Sequence, residues 1–96
     1  MIKHVVCFKL ADKKAQAQKA KEILLSMQGN VPMLRGIEVG IDELESPRSY
    51  DVMLTVLLDD MQALSDYQAD EYHVSVVKQY MHSVTVSCVA MDYEIK

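Results

Sequence analysis

The sequence predicts an α+β domain with element order βαββαβ, folded as a four-stranded antiparallel sheet with two helices. Three observations carry that prediction. Apolar residues alternate with period two in four stretches, they recur at helical spacing in two others, and the breaks fall at capping and turn residues. A chain of 96 residues has room for one domain, spanning 1–96, and it shows no internal linker, repeat or low-complexity segment.

The first strand runs from Ile2 to Leu10. Ile2, His4, Val6, Phe8 and Leu10 share one face; Lys3, Val5, Cys7 and Lys9 share the other. Both faces are apolar in the middle, so the strand needs a cover on each side. Asp12 is placed to accept a hydrogen bond from the free amides at the start of a helix. Ala17, Ala20, Ile23, Leu24 and Met27 then form its apolar stripe, Gly29 ends it, and Pro32 prevents a restart. Gly36 to Leu44 alternates again as the second strand.

Ser46-Pro47-Arg48-Ser49 is turn chemistry, and Tyr50 to Leu58 follows as the third strand. Asp59, with Gln62 three residues on, reads as a capping box for the second helix. Leu64, Tyr67, Val74, Val77 and Met81 form its stripe, with a break expected near Ala69 to Tyr72. Val84 to Ile95 is the fourth strand. In the split arrangement that this order implies, both helices lie on one face of the sheet. The other face, which carries Val6, Phe8, Leu54 or their neighbours, is left apolar and uncovered. A second copy packing sheet to sheet around a shared interior is the expected cover. The 50% hydrophobic content, high for so short a chain, points the same way.

Composition narrows the function classes. The net charge is −4, and the basic residues are scattered or, as with Lys13, Lys14, Lys19 and Lys21, set among Gln and Ala with no interleaved aromatics. Neither nucleic acid nor a membrane is an expected partner. No apolar run approaches the ~20 residues of a membrane span, and Met1 leads directly into a strand, so no signal peptide is expected. Cys7 and Cys88 sit in apolar runs without ligand-like spacing. Both are expected to be buried free thiols, in a protein of the reducing cytoplasm.

Five segments, in order, carry a family resemblance: Ile2 to Leu10; Val31-Pro32-Met33-Leu34-Arg35-Gly36-Ile37 running into Glu38-Val39-Gly40; Ser46 to Val52; Tyr67-Gln68 with His73-Val74; and Met91-Asp92-Tyr93-Glu94. Together they resemble the stress-responsive A/B barrel (Dabb) family over nearly the whole chain. The resemblance implies a ferredoxin-like monomer that pairs into a dimeric α/β barrel. It implies no single activity, although one plant relative is a polyketide cyclase. The positions there analogous to Tyr67 and His73 act on a bound poly-ketone, and the one analogous to His4 lies in the same pocket. Two positions depart from the cyclase: Asp70-Glu71 replaces a His-Pro pair, and Val52 stands where it has a further histidine.

The candidate site therefore comprises His73, Tyr67 and His4, with Asp92 as an orienting carboxylate. A neutral His73 imidazole is able to remove a proton alpha to a carbonyl while a Tyr67 hydroxyl donates to the developing enolate. His4 is equally suited to act as acid, base or ligand. Asp92, on the strand expected beside the first, is placed to hold one imidazole in a single tautomer. His82 reads as exposed and is given no role.

Two histidines and a carboxylate suit a metal, but these come from separate elements without a local motif, and no metal or cofactor is expected. The function that follows is a homodimer enclosing a small apolar pocket, with weak cyclase- or lyase-like acid/base chemistry on a carbonyl or phenolic compound. The alternative is a non-catalytic dimer that binds a small apolar or aromatic ligand or serves a structural role.

Overall fold

A computed structural model describes residues 1–96. Strand β1 (Ile2–Leu10) is followed by helix α1 (Lys13–Leu25), strands β2 (Gly36–Ile41) and β3 (Val52–Leu58), and helix α2 (Met61–Ala69). A π-helical segment, His73–Lys78, then runs into α3 (Gln79–Val84), and β4 (Thr85–Glu94) closes the chain. The sheet is antiparallel in the order β2-β3-β1-β4, which leaves β2 and β4 as edges.

Local chemistry accounts for the boundaries. The Asp12 carboxylate accepts from the Ala15 amide at 3.2 Å and opens α1, a cap worth ~1 kcal/mol. Helix α1 stops at Leu25, before Met27, and Gly29 takes a φ of 87° that suits its missing side chain. Helix α2 is capped by Asp60, whose carboxylate accepts from the Ala63 amide at 2.8 Å, and not by Asp59 as the capping-box pattern suggests. The Asp59 carboxylate instead receives the Arg35 guanidinium through two hydrogen bonds, 3.0 and 2.9 Å. Each partner thereby favours the other's charged form: the carboxyl is held below its usual range and the guanidinium above it.

The break expected near Ala69 falls at Asp70, where the helix halts and starts again. Asp70 supplies both caps of the restart: its carboxylate accepts from the His73 amide at 3.0 Å and its carbonyl from the Val74 amide at 2.9 Å. Strands β2 and β3 are shorter than their alternation suggests, since residues 42–51 form a connection tied down by charge. Lys13 Nζ donates to the Asp42 carbonyl at 2.7 Å, and the buried Asp51 carboxylate accepts from the Leu10 amide at 2.8 Å.

The helices cover the face of the sheet that holds His4, Val6, Leu54, Val56 and Leu58, and the main core forms there with Ala20, Leu24, Met27 and Tyr67. This corrects the expected orientation, since Val6, Phe8 and Leu54 lie on the covered side. The uncovered face is the opposite one, formed by Val5, Cys7, Met53, Leu57, Val89, Met91 and Tyr93. It remains apolar: Met53 is 45%, Val89 50% and Met91 65% exposed in the single chain.

Candidate functional site

The register of β1 and β4 sets His4 directly opposite Asp92, on the helix-covered face. The Asp92 carboxylate accepts from Nδ1 of His4. A carboxylate acceptor requires the hydrogen on Nδ1, so Nε2 is the nitrogen left for other contacts. The His73 imidazole is fixed in the same sense by a different group. Its Nδ1 donates to the Tyr67 carbonyl at 2.9 Å, one helical turn and a break upstream, and Nε2 is again free. Burial is the main cause that pushes His73 below the usual histidine range, and the Lys78 charge adds to it. The ring is therefore neutral at pH 7, with a lone pair on Nε2.

Tyr67 lies between the two imidazoles. Its ring stacks on His73 with centroids 4.2 Å apart and meets His4 edge-on at 5.5 Å. It is fully buried, and its hydroxyl donates to Met27 Sδ at 3.7 Å. Burial, followed by the nearby charges of Asp70 and Asp92, drives the phenol well above its usual range. The hydroxyl is thus turned into the core, and the ring lies as a plate between the two histidines.

These residues end a cavity of about 200 Å³ between the sheet and the second helical stretch. Val6, Phe8 and Leu54 form its sheet wall, Leu24 adds to it from α1, and Val77 and Met81 form the helical wall. All three histidines of the chain line it. His82, exposed as expected, stands at the rim with Lys78, Gln68, Thr85 and Cys88, none of which the sequence pattern had marked for the site. Cys88 is exposed and not buried, a second correction, because it lies on edge strand β4. His73 and Val77, four residues apart on the π-helical turn His73–Lys78, are both buried in this wall. No group of three or more His, Cys, Asp or Glu side chains is spaced to hold a metal ion.

A four-stranded antiparallel sheet with its helices on one side, and a polar-ended cavity beneath them, is a ferredoxin-like α+β protein. The chain belongs to the family described as Stress responsive A/B Barrel Domain, Dabb, which it matches over residues 2–95. Among solved structures it is similar to a dimeric protein of unknown function with a ferredoxin-like fold from Bacteroides fragilis. The two are 25% identical, with 98% of this chain and 95% of that one covered and a TM-score of 0.83. A dimeric ferredoxin-like protein from Thermobifida fusca is 20% identical over 98% of this chain and 90% of that one, with a TM-score of 0.83. A Dabb family protein with a ferredoxin-like fold from Mesorhizobium loti is 20% identical over 99% and 96%, with a TM-score of 0.74. No curated protein matches the sequence.

Proposed function

We propose that the chain works as a cytoplasmic homodimer, paired through the open sheet face, whose cavity binds a small carbonyl or phenolic compound and moves a proton on it. One observation carries this reading. Two imidazoles on one mostly apolar cavity are each anchored at Nδ1 by an acceptor, so each keeps Nε2 for a ligand. Such anchoring fixes tautomer and ring direction before anything binds, the arrangement proton transfer needs.

The roles divide by environment. Neutral His73 is the base, taking a proton alpha to a carbonyl on Nε2. His4, with the Asp92 carboxylate behind it, is the group that holds an added proton and donates it to the enolate oxygen. Tyr67 positions both rings. A non-catalytic ligand-binding dimer is the second reading, and the commitment of the Tyr67 hydroxyl to Met27 favours it, since it removes one proton donor from the cavity.

The test is exchange of the alpha protons of 4-hydroxyphenylacetone in heavy water, followed by NMR. The wild type is expected to accelerate exchange, and His73→Gln to reduce the rate about a hundredfold with the melting temperature nearly unchanged. Binding without any acceleration would select the second reading. A His73→Gln variant with a large stability loss but unchanged affinity would make His73 a structural residue.

A further inference from the structure

We propose that the ligand of this cavity is an amphipathic carboxylate, its anionic end held at the rim by Lys78 with His82 and its phenol or keto end against His4 and His73. This rests on the reading above and names the substrate class. The chain carries 14 acidic and 10 basic residues, yet no Asp or Glu lines the cavity, whereas Lys78 and all three histidines do. Two carboxylates beside its histidines are engaged on other groups: Asp92 accepts from the ring of His4, and Asp70 accepts from the His73 amide.

Lys78 is half-buried and has neither an ion pair nor a hydrogen bond, although Lys9, Lys13 and Arg35 all have carboxylate partners. Its charge is close enough to His73 to oppose protonation of that ring. A partly desolvated ammonium on a cavity wall is a site for an anion.

Thr85 is an independent pointer. Its Oγ1 is enclosed without a hydrogen-bond partner in the protein, and the residue lines the same cavity. Enclosed hydroxyls are nearly always paired, so its partner is a water or a ligand oxygen in the cavity. Lys78 and His82 are four residues apart and so share one side of the helical wall, and Thr85, the first residue of β4, lines the same cavity. Lys78 and His82 lie five and nine residues beyond His73, roughly 7–14 Å at ~1.5 Å per residue. A ligand of that length, apolar in the middle and polar at both ends, matches the wall.

Calorimetry with 4-hydroxycinnamate and with its methyl ester tests this at pH 8. The pair shares the phenol and differs only in the charge. The wild type is expected to bind the acid about tenfold more tightly than the ester. Lys78→Met should abolish that preference by weakening the acid alone, Lys78→Arg should keep it, and His82→Gln should reduce it less. Lys78→Gln repeats the test should the methionine variant fail to fold. Equal binding of acid and ester by the wild type, or an undiminished preference in folded Lys78→Met, would overturn this inference and leave the proton-transfer reading standing. If neither compound binds, both fall together.

Discussion

The two faces of the sheet are built from the same kinds of apolar residue and meet different fates. On the covered face Val52, Leu54, Val56 and Leu58 of β3 are each at most 2% exposed. One residue out of step, Met53 is 45% exposed, and across the sheet Met91 is 65% exposed. The difference lies in the connections, since both crossovers place their helices on one side. The covered face therefore stabilises the single chain and shelters the cavity, while the open face has apolar surface available only to a partner. The residues that build the chain's own core and those left available to a partner thus alternate along the same strands.

Substitutions on the two faces should break in different ways. The largest effect is expected at the covered face. Tyr67→Ala removes a fully buried ring at the centre of the site and should cost about 3–5 kcal/mol. Tyr67→Phe, which loses only the bond to Met27 Sδ, should cost under ~1 kcal/mol. Chemical denaturation measures both, and a costly phenylalanine variant would return the hydroxyl to prominence. On the open face, Met91→Asp should leave the secondary structure intact and weaken dimerisation at least a hundredfold, about 2.7 kcal/mol. Sedimentation across a concentration series checks this. An unchanged dimer would show that the partner sits elsewhere.

How much of this was legible in the sequence depended on whether the deciding contact was local. The alternation of β1, the caps at Asp12 and near Asp60, and the interruption near Ala69 all follow from neighbouring residues. The side of the sheet that the helices take does not, because β1 is apolar on both faces. Lys3, Glu38 and Thr55 on the open face were the slight signal available. The cap of α2, expected at Asp59, falls one residue on at Asp60, while Asp59 pairs with Arg35, which is distant in sequence. His4, Tyr67 and His73 were named from the resemblance and Asp92 from the expected pairing of the first and last strands, and the β1–β4 register sets His4 and Asp92 opposite each other. Lys78 and His82 escaped because their place depends on the rotation of a helix whose π-helical turn leaves no mark in the pattern, and Thr85 and Cys88 because theirs depends on which face of β4 the helices cover.

Acid should act on the covered face through His73. Burial lowers its proton affinity in the folded chain relative to the unfolded one. Below pH ~6.5 the unfolded state therefore binds the proton more readily, and stability falls with pH. The contribution is complete above the unfolded value, is lost as pH falls through the lowered folded value, and changes no further below it. The wild type should thus lose more melting temperature between pH 7 and 5 than His73→Gln. Parallel losses in the two proteins would show that His73 is as easily protonated when folded as when unfolded.

The smallest effect is a difference in labelling rate, and it distinguishes the faces within one molecule. Cys7 is half-buried on the open face, while Cys88 is exposed at the cavity rim beside Phe8. A neutral maleimide should modify Cys88 first in the native dimer, because thiol reaction needs access and the partner copy would cover Cys7. The two rates should then respond to different perturbations. Met91→Asp should accelerate Cys7 severalfold and leave Cys88 unchanged, since only the open face loses its cover. A bound 4-hydroxycinnamate should slow Cys88 alone, since only the rim of the cavity is occupied. Peptide mass spectrometry after timed quenching resolves both sites. If the ligand were to protect Cys7, or the charge substitution to expose Cys88, the separation of assembly from ligand binding on opposite faces of the sheet would be wrong.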